Sequence, residues 1–181
     1  MKCLVFSDSH GYSLFMMRAA AKHPDAEVIF FLGDGLSDLE HLFERYPDRC
    51  YLAVRGNCDR EVVALGKGVP KTDRIELCGK KIVFSHGDLY GVKFGIEGLE
   101  RLAASEDADI VLFGHTHSPT SAYIPKEEGG ADEDVSEEGK KPRRPYYIFN
   151  PGSIGMLGSP TFGVITLTEG QEPLFSFGSF N

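Results

Sequence analysis

Val5-Phe6-Ser7-Asp8-Ser9-His10-Gly11 completes an apolar run that begins at Cys3, and it delivers an aspartate and a histidine at the C-terminal tip of that run. Alternate positions on a strand share a face, so Asp8 and His10 can address one ion from a single extended end. Carboxylate oxygen beside imidazole nitrogen suits a divalent transition cation. One Asp-x-His pair carries little weight, because such pairs arise by chance. The arrangement returns, however. Val28 to Leu32 (VIFFL) ends in Gly33-Asp34, Cys50 to Val54 in Arg55-Gly56-Asn57-Cys58-Asp59, Lys81 to Phe84 in Ser85-His86-Gly87-Asp88, and Asp109 to Phe113 in Gly114-His115-Thr116-His117. Five apolar strands therefore end in metal-type donors.

The intervals between the first strands read as helices. Ser13 to His23 places Leu14, Met17 and Ala21 at helical spacing, with Ser13 as N-cap and Pro24 as the stop. Met16-Met17 belongs to core packing, and His23 to the helix's last carbonyls. Ser37 to Tyr46 turns Leu39, Leu42 and Phe43 inward and leaves His41 on the polar side. Alternating strand and helix favours an α/β layered fold with its ligands at the carboxyl ends of the strands. From Asp73 the rhythm changes: residues 74–77 and 81–84 flank Cys78-Gly79-Lys80 as an antiparallel hairpin. Val92 to Ser105 reads as a further helix with Phe94, Ile96, Leu99 and Leu102 on its apolar face. The stretch 125–145 is too charged to bury a core and is expected to be a mobile surface loop. Tyr146 to Phe149 resumes a strand and Asn150-Pro151-Gly152-Ser153 is a turn. Phe162 to Thr168 with Leu174 to Phe177 makes a closing hairpin, expected to form a second sheet.

A chain of 181 residues with 41% hydrophobic residues and 21 glycines suits one globular domain over residues 1–181. A formal net charge of -8 argues against a duplex-binding surface, so no stable nucleic-acid partner is expected. Cys3, Cys50, Cys58 and Cys78 lack CxxC spacing and read as reduced thiols. The chain opens directly into its first strand, and no apolar run approaches a membrane span. A cytoplasmic location is expected.

The strand-end donors are Asp8, His10, Asp34, Asn57, His86, His115 and His117. Seven side chains exceed what one ion can use, whereas two ions sharing a carboxylate, about 3.5 to 4 Å apart, can use them all. Imidazole with carboxylate suits manganese, iron, zinc, cobalt or nickel better than magnesium or calcium. Manganese is the expected occupant.

Asp8-Ser9-His10, Gly33-Asp34 with Asp38 following, Gly56-Asn57-Cys58-Asp59, His86-Gly87 and Gly114-His115-Thr116-His117 together closely resemble the calcineurin-like metallophosphoesterases. The short length and the Gly-Asn-Cys-Asp form are most similar to the compact bacterial and archaeal YfcE-type phosphodiesterases. The resemblance implies an α/β fold, a four-layer α/β/β/α sandwich with two mixed sheets. It implies that Asp8, His10 and His117 hold one metal and Asn57, His86 and His115 the other, with Asp34 bridging. A water or hydroxide between the ions would attack a small phosphodiester substrate. Asp34, Asn57, Cys58, Asp59 and His86 become the catalytic candidates, Asp59 as a residue that orients its neighbours. Cys58 stands where most of the broader family carries the histidine that protonates the leaving oxygen, which leaves the general acid unassigned. A homo-oligomer, dimer or tetramer, also follows from the resemblance. The alternative is a non-catalytic interaction scaffold of the same fold; a specific nuclease is disfavoured by the acidic balance.

Overall fold

The computed structural model describes residues 1–60, 63–64, 67–125, 144–156 and 158–180. Most of the 125–145 stretch lies outside these residues. Two five-stranded sheets carry the fold. The first contains β1 (Lys2–Phe6), β2 (Val28–Phe31) and β3 (Cys50–Ala53) in parallel, with β11 (Thr161–Thr166) and β12 (Leu174–Ser179) added antiparallel beside β1. The second runs β6 (Thr72–Leu77), β7 (Lys80–Ser85), β8 (Ile110–Leu112), β10 (Tyr146–Asn150), β9 (Thr120–Ile124), with β7, β8 and β10 parallel. A separate two-stranded ribbon joins β4 (Val63–Ala64) to β5 (Lys67–Gly68).

Strand periodicity explains the layering. On β1, Leu4 and Phe6 face one cluster while Cys3 and Val5 face another. Ile29 and Phe31 on β2 follow Leu4, whereas Val28 and Phe30 follow Cys3. One face packs on α1 (Ser13–Lys22) and α2 (Leu39–Arg45) through Met16, Ala19, Leu39 and Leu42. The other meets the second sheet at Ile82, Phe84, Ile110, Leu112 and Phe149, with Phe30 and Phe84 edge to face at 5.2 Å between ring centroids. The far side of the second sheet packs on α3 (Glu97–Glu106) through Val83, Val111, Ile148, Leu99 and Leu102. Both faces of β1, β2 and β8 are thus buried, which is why their sequences are continuous apolar runs, whereas the edge strand β3 is only partly covered. The result is a four-layer α/β/β/α sandwich.

Four local expectations are corrected. The closing hairpin of β11 and β12 extends the first sheet, because β1 has a free edge opposite β2; the second sheet starts instead from the β6–β7 hairpin. Ser13 is the first residue of α1 and makes no side-chain cap. The third helix begins at Glu97, after turns through Gly91 and Gly95, so Phe94 lies outside it and is 97% exposed. Phe43 is 40% exposed and packs edge-on against Tyr51.

Candidate metal centre

The parallel strands of both sheets run the same way at their seam, and their C-terminal ends converge. Asp8 and His10 follow β1, Asp34 follows β2, Asn57 follows β3, His86 follows β7, and His115 and His117 follow β8. The loops are braced both across the seam and within each sheet. His115 N–H donates to Asp8 Oδ2 at 3.1 Å, Ser7 Oγ donates to the same oxygen at 2.5 Å, and Gly114 N–H donates to His86 O at 3.0 Å.

Two sets of donors result. Asp8, His10 and His117 place ligand atoms within 4.8 Å of one another, as do Asp34, His86 and His115. Asn57 joins the second set, its Oδ1 3.2 Å from His86 Nε2. Asp34 Oδ2 is 3.4 Å from His86 Nε2, and Asp34 also shares a third set with His10 and Cys58. Asp34 therefore has ligand atoms near members of both groups.

Several features fit a cation. Asp8 is fully buried, and its Oδ1 has no hydrogen-bond partner. Three imidazole nitrogens face that oxygen: His117 Nε2 at 3.1 Å, with His10 Nε2 and His86 Nε2 each at 3.9 Å. The Nε2 atoms of His10 and His117 also confront each other at 3.4 Å. A buried carboxylate oxygen is costly to leave bare, and one divalent ion answers it and both imidazoles together. His86 Nδ1 lies 2.8 Å from Leu32 O; a carbonyl only accepts, so Nδ1 carries the hydrogen and Nε2 is turned to the cluster.

The backbone is strained at the same residues. Asp8, His10, Asp34, His115 and His117 all have left-handed φ values, between 47° and 66°. Each costs of order 1 to 2 kcal/mol for a residue with a side chain. Tight packing enforces the strain: a Cβ on Gly33 would come within 2.4 Å of Gly56 N, and one on Gly56 within 2.0 Å of Asp34 Oδ1. Only glycine permits the β2 and β3 loops to approach this closely.

Charge at the centre follows from these contacts. Burial works against the Asp34 carboxylate, yet hydrogen bonds from His86 and from Cys58 N–H hold it well below the usual carboxylate range. Burial likewise opposes a charged His86, but Asp34 and Asp8 outweigh it and raise its pKa. Burial and the neighbouring His86 lower that of His115. Cys58 is pushed up to about 11, chiefly by its hydrogen bond to Asp34.

Asp59 sits differently from the other candidates. Its carboxylate accepts N–H groups from Asp34, Gly35, Leu36 and Gly56 at 2.7 to 3.0 Å, so it positions the β2 loop. Further bracing comes from residues the motifs alone do not assign. Ser153 Oγ donates to Asp8 O at 2.8 Å, and Asn150 Nδ2 donates to Gly114 O at 2.9 Å. Asp38 accepts Ser9 Oγ at 2.6 Å and Gly11 N–H at 2.8 Å. The Asn150-Pro151-Gly152-Ser153 turn was visible in sequence, but its two polar side chains had no stated purpose there.

Two packed sheets bring cation-ready donors together at their C-terminal edge, and the chain matches the calcineurin-like phosphoesterase superfamily domain over residues 1–170. It belongs to that family, a class of phosphoester hydrolases. Among relatives, it is 34% identical to YsnB of Bacillus subtilis, described as a probable metallophosphoesterase, over 68% of this chain and 69% of that one. It is 30% identical to the phosphodiesterase YfcE of Escherichia coli K12, over 65% of this chain and 58% of YfcE. In three dimensions it superposes on Vps29 of Entamoeba histolytica, solved with zinc, at a TM-score of 0.67 and 21% identity, covering 100% of both chains. That likeness confirms the fold. Among the described residues, no helix is long and apolar enough to cross a membrane.

Proposed function

We propose that this protein is a dimetal phosphodiesterase acting on small phosphodiesters. Asp8, His10 and His117 would hold one divalent cation, and Asn57, His86 and His115 the other, with Asp34 shared between them. Manganese is the expected metal, with iron, zinc, cobalt or nickel compatible with the donor set. The observation that carries the reading is the bare, buried Oδ1 of Asp8 surrounded by three imidazole nitrogens.

Two cations held there supply the charge that activates water and neutralises the oxygens of a phosphodiester. The chain's own part is positional. Leu32 O fixes the tautomer of His86, Cys58 N–H and His86 orient the two oxygens of Asp34, and the Asp59 carboxylate keeps the β2 loop in its strained form. Cys58 in place of an acidic imidazole makes the thiol a poor proton donor to a leaving alkoxide, so aryl diesters are the favoured model substrates.

A non-catalytic scaffold on the same fold has no need of the donors, whereas here all seven converge. Free thiols at all four cysteines suit a reducing compartment such as the cytoplasm. Self-association into a dimer or tetramer is part of the proposal, supported by Leu174 and Phe177, 69% and 44% exposed on edge strand β12.

The test is reconstitution: strip the protein with chelator, reload it with each divalent ion, and measure metal content and hydrolysis of bis(p-nitrophenyl) phosphate. About two ions per chain with restored turnover is the expected result. Tight metal binding with no turnover for any ion supports the scaffold instead.

A further inference from the structure

Cys58 lies on the converging loops beside the donors, and neither metal set uses it. It is exposed, and its Sγ lies with ligand atoms of His10 and Asp34 in a group whose members are all within 4.8 Å of one another. The loop that carries it is clamped to Asp34: Cys58 N–H donates to Asp34 Oδ1 at 2.7 Å, and Gly56 leaves no room for a Cβ beside that same oxygen. Asn57 Nδ2 donates to Cys58 Sγ at 3.2 Å, a contact that strengthens when the acceptor becomes an anion. His10 also lies 3.9 Å from the fully buried Asp8 Oδ1, which has no hydrogen-bond partner, so the Cys58 group adjoins the donor set that already fits a cation.

We propose that Cys58 is a metal ligand, completing with His10 and Asp34 a thiolate, imidazole and carboxylate set for a thiophilic divalent cation such as zinc, cobalt(II) or cadmium. This rests on the dimetal reading, since His10 and Asp34 serve both. Sulfur donates a lone pair to the cation as the thiol proton leaves to solvent. Tetrahedral zinc, with Zn–S of about 2.3 Å and Zn–N of about 2.0 Å, spaces its donors about 3.5 Å apart, and the ligand atoms here lie within 4.8 Å of one another. Thiolate prefers zinc, cobalt and cadmium to manganese. A thiophilic ion gains Cys58 as a donor beside His10 and Asp34, whereas manganese gains little from it, so the same centre distinguishes hard from soft cations.

The full-length protein loaded with cobalt(II) gives a readout independent of turnover. Wild type is expected to show a near-ultraviolet sulfur-to-cobalt charge-transfer band, and Cys58→Ser and Cys58→Ala to lose it while retaining cobalt and their far-ultraviolet circular dichroism. Zinc should bind Cys58→Ala about 10-fold or more weakly, with manganese affinity changed by no more than about 2-fold. Cobalt bound by wild type without the band, or a band that persists in Cys58→Ala and so arises from another cysteine, overturns the inference and leaves the dimetal reading intact. A wild-type protein that binds no cobalt, manganese or zinc overturns both.

Discussion

Asp59 accepts the backbone N–H of Asp34 at 2.7 Å, so the carboxylate placed between the two donor sets is held by a second carboxylate behind it. Asp34, Gly35 and Leu36 point successive N–H groups into one concavity, and the Asp59 side chain fills it with both oxygens. An anion in such a nest stabilises a backbone that would otherwise relax.

Asp59→Ala leaves four N–H groups without their acceptor, and a loss of about 1 to 3 kcal/mol of stability is expected. Metal affinity should fall by about 10- to 100-fold, as when the support of a ligand is removed. Asp59→Asn, with one carbonyl oxygen, should lie between. Urea denaturation and metal titration check both; an unchanged affinity in Asp59→Ala would mean that Asp34 is positioned without it.

Asp34→Asn keeps the shape but removes the charge shared by both sets. Hydrolysis of bis(p-nitrophenyl) phosphate is expected to fall by on the order of 10³-fold with the fold retained. Bound metal should drop towards one ion per chain. Two ions and near wild-type turnover in this variant would refute the bridging assignment.

The pH dependence of stability should reverse when metal is bound. In the chelator-treated protein, Asp34 and Asp8 raise the pKa of His86 above its ordinary value of 6.5, overcoming burial. Its charged form then contributes stability that is fully present below pH 6.5 and lost as pH rises through the higher folded value. A cation on Nε2 competes with that proton, so the metal-loaded protein should gain stability as pH rises over the same range. Melting temperatures across this window, with and without metal, should slope in opposite directions. Parallel slopes would place the cation away from His86.

Residues 126–143 connect two strands that are already paired, with Ile124 opposite Tyr146 in the β9–β10 ladder. A short Gly-Ser link can therefore replace Glu127 to Lys141 without moving either end. Closure entropy changes slowly with length, so stability should shift by no more than about 1 kcal/mol, and turnover should persist. Loss of turnover at full metal content would assign the segment a part in substrate binding.

The sequence made the strand ends legible because burial on both faces leaves an unbroken apolar run, and each run stops where a polar donor begins. Val28 to Leu32 followed by Gly33-Asp34 is the clearest case. Sheet membership was harder. Hairpin pairing of β11 with β12 is local, but which sheet edge the hairpin joins depends on the free edge of β1, some 160 residues away in the register Cys3 to Ile165. The start of α3 is obscured in sequence because Ile96 keeps an i, i+3 step with Leu99 and Leu102 although it lies just before the helix. At the site, Ser153 and Asn150 act through a carbonyl and a backbone turn, and short polar side chains in a turn have too many local uses for their partners to be read from sequence.

Asp8 belongs to the first sheet and His115 to the second, yet His115 N–H already reaches Asp8 Oδ2 across the seam. A cation coordinated on this edge would act as a rivet through two plates. The set of Asp8, His10 and His117 and the set of Asp34, His86 and His115 each draw on both sheets, so an ion in either has fewer donors until the plates have closed on Phe30 and Phe84. Saturation at about 1,000 times the dissociation constant would add about 4 kcal/mol to the closure itself. Withdrawing the metal would then loosen the whole sandwich, so hydrogen exchange deep in β1 and β8 would report on cation supply far from any solvent-facing ligand.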